Sequence, residues 1–206
     1  MADVTLTYKG STIAEMNDTG TKTLKTSGKY CEGDIGVSYV KPEGGSGFWD
    51  EDYARQIIER TITSINFPSG LTNIGSSAFL NCFNLKLTSL PQSLTSIGSS
   101  AFRFTKISIT SLPVGVTSIL NYTFANCSEI ETIEFHENIN KIDVFAFFSC
   151  TGLTSVTFKG TPSKIAMSAF DSCTNLTDIY VPWAEGAVAN APWGATHATI
   201  HYNTTT

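Results

Sequence analysis

Residues 71–85 read Leu71-Thr-Asn-Ile-Gly-Ser-Ser-Ala-Phe-Leu-Asn-Cys-Phe-Asn-Leu85, and the apolar positions of this segment recur along the chain. An Ala-Phe or Thr-Phe pair returns after 23, 22, 23 and 23 residues, with its Phe at Phe79, Phe102, Phe124, Phe147 and Phe170. An Ile lies five residues before each Phe, and a Cys or Thr lies three residues after it. Such a repeat predicts a solenoid, because a coil this thin can bury its apolar face only by stacking on its neighbours.

Each repeat divides into a short strand and a tight turn. The segments Leu153–Phe158 and Leu176–Val181 are rich in β-branched residues and end at Gly or Pro, which is typical of short strands. The Gly-Ser-Ser-Ala-Phe segment is too short for a regular helix and fits a helical turn whose Phe fills the interior. Strands of successive coils are expected to pair in parallel at about 4.8 Å, so five coils span about 25 Å.

The pattern Leu-Thr-x-Ile-Gly-x-x-Ala-Phe-x-x-Cys-x-x-Leu resembles the bacterial BspA-type leucine-rich repeat. The resemblance implies a curved solenoid that binds at a cell or host surface. The second copy departs from the pattern, with Arg103-Phe104-Thr105 where other copies end in Cys. The flanking segments 29–37 and 181–196 are similar to segments of prophage-encoded repeat proteins of gut bacteria, which implies a tail-associated virion component as an alternative.

The repeat sets the domain boundaries that we predict. Residues 1–41 alternate apolar and polar and indicate a small β-meander, with strands near 4–8, 22–25 and 35–40. A Gly-rich linker (42–49) and an N-capping helix (50–61) precede the repeats (62–182), and residues 183–206 form a C-terminal cap and tail. In the cap, Trp183 and Trp193 either close the core or form a ligand platform, and we favour closure.

The 1–41 segment is marginal as a core by itself. We therefore expect it to attach the chain to a larger assembly, to pack on the solenoid or to form a homo-oligomer.

Composition excludes several classes of function. Charged residues make up 15% of the 206 residues, where about 25% is usual, while there are 28 Thr and 22 Ser. A net charge of −5 with 13 basic residues argues against nucleic-acid binding. The sequence contains no run of 18 apolar residues, so we predict no membrane insertion. The N-terminal residues lack the pattern of a signal peptide. We expect a chain that is made in the cytoplasm and used on a virion or on a cell surface.

The cysteines and histidines have structural interpretations that we favour over chemical ones. Cys127, Cys150 and Cys173 share one repeat position and are expected to form a buried ladder, since no metal-binding Cys pair or converging disulfide geometry is present. Cys31 is a lone thiol of unpredicted exposure. His136 lies in an acidic turn and could pair with a carboxylate for acid–base work, but a hydrated turn is favoured. No nucleophile elbow, phosphate loop or zinc-protease motif occurs, so we predict no enzyme and no cofactor.

What remains is the outward side of the strands. Its candidate binding residues are small, mostly uncharged side chains, namely Thr132, Glu134, Ser155, Thr157, Asp178 and Tyr180. Such a face suits a glycan or a polypeptide, although any hydrated sheet needs a similar one. In the same frame Leu87 and Ile109 point outward, so those coils either bulge and bury them, which we favour, or carry an exposed apolar patch. We predict a non-enzymatic surface-recognition or adhesion module that binds a cell-surface protein or glycan, with a virion tail component as the alternative.

Overall fold

The computed structural model describes residues 3–8, 11–17, 35–40, 62–65, 67 and 70–204. The predicted strand at 22–25, the linker, the capping helix and Cys31 lie outside the described residues. In the first three segments lie strands β1 (Asp3–Tyr8), β2 (Ser11–Asn17) and β3 (Ile35–Val40).

These three strands form an antiparallel sheet in the order β2-β1-β3. β1 is therefore the central strand, whereas a meander would place its second strand in the middle; the strand predicted at 22–25 lies outside the described residues. Residues Ser11–Asn17 were not predicted as a strand because Ala, Glu and Asn favour strands weakly. Their pairing with β1, through a register shift between Leu6 and Thr7, overrides that local preference.

The repeats form the predicted solenoid of stacked coils. Its strands are short and lie at two positions of the repeat. In chain order they are β4 (Asn73–Ile74), β5 (Ser96–Ile97), β6 (Ser118–Ile119), β7 (Thr132–Phe135), β8 (Lys141–Ile142), β9 (Ser155–Phe158), β10 (Lys164–Ile165), β11 (Asp178–Tyr180) and β12 (Thr199–His201). All their pairings are parallel, as expected for equivalent segments of successive coils. The longest sheet has the order β12-β11-β9-β7.

A ladder of phenylalanine rings occupies the core. Phe79, Phe102, Phe124, Phe147 and Phe170 are fully buried. Their ring centroids follow one another at 5.4, 5.8, 5.3 and 5.4 Å, each ring stacked on the next. The backbone repeats the same step, because the amide of each of these residues donates a hydrogen bond to a carbonyl of the following coil. The single apolar unit in each repeat thus becomes a continuous core.

The turns that carry these rings use left-handed backbone at two positions of a coil. The first lies two residues before the core Phe and the second lies two residues after it; Ser77, Asn81, Ser100, Asn126 and Ser149 are examples, with φ between 55° and 62°. Consecutive i+3 to i hydrogen bonds close each turn, as from Ala78 to Gly75 and from Cys82 to Phe79. Small polar residues suit these positions because Asn, and to a lesser degree Ser, tolerates the left-handed region.

Leu87 and Ile109 are buried, at 8% and 1% exposure, while the following residues Thr88 and Thr110 are exposed. The favoured alternative, that these two side chains are buried, is therefore confirmed. The strand alternation that placed them on the outward side of the sheet was wrong for these two coils. In these two coils the inward residue comes two positions after Leu85 or Ile107, whereas in later coils it comes three positions after. No strand is formed at this point in the two coils, although backbone hydrogen bonds such as Ser108 to Leu87 still join them.

Trp183 and Trp193 close the C-terminal end of this core. Their rings are buried and lie 5.2 and 6.3 Å from the ring of Phe158. The carbonyl of Trp193 accepts the amide of Phe170, as the next coil would. The two indoles therefore extend the apolar core and do not form an exposed platform.

Candidate functional site

The six predicted binding residues lie on one face of the β12-β11-β9-β7 sheet. Parallel register places Thr132 beside Ser155 and Ser155 beside Asp178, and it places Glu134 beside Thr157 and Thr157 beside Tyr180. Thr132 and Glu134 are exposed and the other four are half-buried, while the residues between them, such as Ile133 and Val156, are buried. The sheet thus presents two parallel columns of polar side chains; we call this surface the sheet face.

Strand β12 adds Thr199 and His201 to the two columns of the sheet face. The His201 ring is stacked on that of Tyr180, with centroids 4.5 Å apart and an angle of 12° between planes. Its Nε2 lies 2.8 Å from Oδ1 of Asp178. The sequence alone did not predict this contact, because the segment between β11 and β12 does not follow the repeat and leaves the register open.

Asp178 is held as a carboxylate by its neighbours. The hydrogen bond from His201 is the main cause that lowers the pKa of Asp178, and the hydroxyl of Thr177, 2.7 Å from Oδ2, contributes further. At the other end of the sheet face, Lys159 Nζ lies 3.3 Å from Glu134 Oε2. Glu134 therefore has a cationic partner and Asp178 has hydrogen-bond donors, which leaves hydroxyl groups and two rings as the main binding groups of the sheet face.

A polar groove of about 620 Å³ borders the sheet face at Thr132. Hydroxyl and carboxylate groups line it, including those of Ser108, Thr110, Glu129, Glu131 and Thr154. Such groups can accept and donate hydrogen bonds to a polar ligand that lies across the strands.

The Cys residues of the repeat are buried, as predicted, and their thiols are also hydrogen-bonded. The thiols of Cys127, Cys150 and Cys173 lie 3.1, 3.1 and 3.0 Å from carbonyl oxygens of the preceding coil. Burial raises the pKa of Cys127 to about 12 and raises that of Cys150 well above its ordinary value. Among the described residues, no group of three His, Cys, Asp or Glu side chains could hold a metal ion.

His136 also has a structural role. Its Nε2 lies 3.1 Å from the carbonyl oxygen of Pro113 in the preceding coil, and its Nδ1 accepts the amide of Asn138 at 3.2 Å. The imidazole therefore ties a turn to the coil before it, whereas the sequence favoured a hydrated turn.

A second surface lies on the turns and was not predicted. It consists of Arg103, Phe104, Tyr122, Phe145 and Phe148, all half-buried, and we call it the aromatic patch. The Arg103 guanidinium lies 5.0 Å from the ring centre of Phe104 and 4.9 Å from that of Tyr122. Tyr122 stacks on Phe145 at 5.1 Å, and Phe148 meets Phe145 edge-on at 5.4 Å. The sequence feature that could have indicated this patch is Arg103–Phe104, where the second copy departs from the repeat pattern.

Comparisons with known proteins identify a family that has the same sequence repeat. The model of the family described as "BspA type Leucine rich repeat region" matches residues 58–177 in six copies. A leucine-rich repeat protein from Bacteroides ovatus is similar in structure with a TM-score of 0.42 and 20% identity, over 58% of this chain and 42% of that one. A leucine rich cell surface protein from Faecalibacterium prausnitzii gives a TM-score of 0.37 and 16% identity, over 71% of this chain and 61% of that one.

This chain thus spans less than two thirds of the length of either solved structure. The comparison with curated proteins gives no significant match. In the part of the chain that the structure describes, no helix has the length and apolar character needed to cross a membrane.

Proposed function

The chain belongs to the BspA-type leucine-rich repeat family, and from this premise we propose that it is a non-catalytic recognition module that binds a cell-surface protein or glycan through the sheet face. One observation carries the proposal. Four strands in parallel register align Glu134, Thr157, Tyr180 and His201 in one outward column. A regular array of this kind offers repeated hydrogen-bond groups to an extended ligand.

The chemistry of the sheet face supports binding over catalysis. Asp178 and His201 are hydrogen-bonded to one another, but their side chains are 38% and 36% exposed, so they are not enclosed in a site that excludes water. The Tyr180–His201 stack provides a flat apolar contact at the C-terminal end of the columns. Aromatic side chains of this kind contribute strongly to protein interfaces, and the hydroxyls beside them give hydrogen bonds with little desolvation of charge.

The test is binding of the full chain to a glycan array and to intact bacterial and epithelial cells. We expect binding that falls at least tenfold for Tyr180→Ala and for Glu134→Ala. The matched control is Thr161→Ala, an exposed residue on the loop after β9. Binding that is absent, or that is equal for all four proteins, contradicts the use of the sheet face.

The alternative role is a tail-associated virion component anchored by residues 1–41. The β1–β3 sheet favours it, because this sheet lies outside the residues that match the repeat. Its test is mass spectrometry of phage particles induced from the source bacterium, with native mass measurement of the full chain. A chain that is absent from the particles and monomeric contradicts this alternative.

A further inference from the structure

The aromatic patch places bulky rings where the repeat needs only small residues. Two positions before the core Phe, the chain has Ser77, Ser100, Tyr122 and Phe145, and all four have φ between 57° and 59°. Ser77 and Ser100 show that a small polar residue satisfies this backbone position. Bulky residues are disfavoured in the left-handed region, so the coil itself gives no reason for Tyr122 and Phe145.

Phe104 repeats this anomaly at the second left-handed position. It has φ 61°, where the equivalent residues of the other coils are Asn81, Asn126, Ser149 and Ser172. Three aromatic residues therefore take unfavourable backbone positions in three consecutive coils, and all three remain partly accessible to solvent. Backbone strain that gathers at one surface favours a functional explanation.

Arg103 brings a positive charge into this patch without a counter-charge. Its guanidinium is held between two rings, and its Nε is buried with no hydrogen-bond partner. Within the described residues it forms no ion pair, in contrast to Lys141, which lies 2.9 Å from Asp143. An arginine so fixed is ready to bind a carboxylate, because its planar group is already oriented and loses little freedom on binding.

Exposed apolar side chains continue the patch along the turns. Val144, which directly precedes Phe145, is 41% exposed, and Met167, its equivalent in the next coil, is 71% exposed. Aromatic residues, Met and Arg are the types enriched at the centres of protein interfaces. The surface therefore combines apolar contact area with one unpaired positive group.

From these observations we propose that the aromatic patch is a docking site for a polypeptide segment that carries an Asp or Glu between apolar side chains. The carboxylate binds Arg103, and the apolar side chains cover the edges of Tyr122 and Phe145 and the exposed Val144 and Met167. A polypeptide fits better than a sugar. Arg103 comes from the coil before Tyr122 and Phe145 from the coil after it, so both faces of the Tyr122 ring are covered and unavailable for stacking on a sugar.

This site lies on the turns and is independent of the sheet face and its proposed function. Its test is selection of random 12-residue peptides, displayed on phage, against the full chain, followed by titration of the selected peptides. We expect peptides with Asp or Glu beside Leu, Ile, Phe or Met. Their affinity should fall at least tenfold for Arg103→Gln, for Tyr122→Ser and when the acidic residue of the peptide is changed to Lys, and it should be unchanged for Thr161→Ala.

A stability measurement separates binding from folding. Tyr122→Ser and Phe145→Ser install the residue that the chain already uses at the equivalent position, so the urea midpoint should stay equal or rise. A fall in the midpoint as large as that of a core Phe→Ala variant shows that the rings are structural, and it overturns the proposal. The proposal is also overturned if the selection yields no peptide whose binding depends on Arg103 and Tyr122. It is overturned as well if only uronic or sialic acids on a glycan array bind in a way that depends on both residues.

Discussion

The thiol of Cys127 donates a hydrogen bond to the carbonyl oxygen of Phe102, which lies 3.1 Å away in the preceding coil. The same oxygen accepts the hydroxyl of Thr105 at 2.8 Å, so Thr105, which stands where other copies have Cys, donates to a carbonyl of its own coil. Cys150 and Cys173 repeat the bond to Phe124 and Phe147. Each thiol therefore satisfies a buried carbonyl and fills space beside a core ring, which explains why this position takes a small side chain that can donate a hydrogen bond.

The thiols of Cys127 and Cys150 are expected to be unreactive in the folded protein. Burial raises the pKa of Cys127 to about 12, so almost none of it is thiolate at pH 8, and thiolate is the reactive form. Iodoacetamide at pH 8, followed by peptide mapping, should leave Cys127 and Cys150 unmodified in buffer and modify both in urea. Rapid modification of either one in buffer contradicts a stably closed core.

Replacement of the central ring of the ladder should destabilise the whole stack. Phe124 contacts Phe102 and Phe147, so Phe124→Ala leaves a cavity and should lower the free energy of unfolding by about 3–5 kcal/mol. Urea denaturation followed by circular dichroism measures the change. Phe83→Ala is the control: that ring is 48% exposed, and its removal should cost less than about 1 kcal/mol. Equal losses for the two variants contradict the ladder as the main source of stability.

Ile109 tests the register of the second coil. Ile109→Ala should cost about 2–5 kcal/mol of unfolding free energy, because the side chain is buried. Thr110→Ala, at the neighbouring exposed position, should change it by less than about 0.5 kcal/mol. The reverse order of effects in urea denaturation would restore the outward frame in which Ile109 faces solvent.

The Asp178–His201 contact has a pH signature. The hydrogen bond from His201 lowers the pKa of Asp178 below its ordinary value of 3.8, so the contact stabilises the fold above that value. This stabilisation is lost as the pH falls through the lowered pKa, since protonated Asp178 accepts the bond less strongly. A carbon-detected NMR titration should show the pKa of Asp178 rising towards 3.8 in His201→Ala and unchanged in Thr161→Ala. An unaltered pKa in the His201 variant would show that the contact is not formed in solution.

The solenoid itself could be predicted because its signal is repeated. Five Phe residues at nearly constant spacing determine the core, the coil length and the parallel pairing. The inward position of Leu87 and Ile109 could not be fixed in the same way. In these coils the side chain that points inward is shifted by one position, which buries Leu87 and Ile109 without forming a strand. The alternation of side chains in the sequence is compatible with either register, and only packing against the neighbouring coil decides between them.

The candidate site was predictable only in part, for a related reason. The six residues of the sheet face follow from strand alternation, whereas His201 joins them through a segment outside the repeat. The aromatic patch lies in turns with left-handed backbone, and there the positive φ angle determines which residue types are favoured. Neither Tyr122 nor Phe145 is unusual as a residue type; each is unusual only at a left-handed position, and the backbone angle is not visible in the sequence.

The interfaces between the coils of Phe102, Phe124, Phe147 and Phe170 are made of the same parts: a ring on a ring, a thiol on a carbonyl, and backbone hydrogen bonds between equivalent residues. Recombination between equivalent points of two repeats would therefore join surfaces that already fit, and the gene can change its number of coils without designing a new contact. The aromatic patch is an exception to this freedom. Its residues differ from coil to coil, so it arises by point substitution and is lost when the coils around Tyr122 are exchanged.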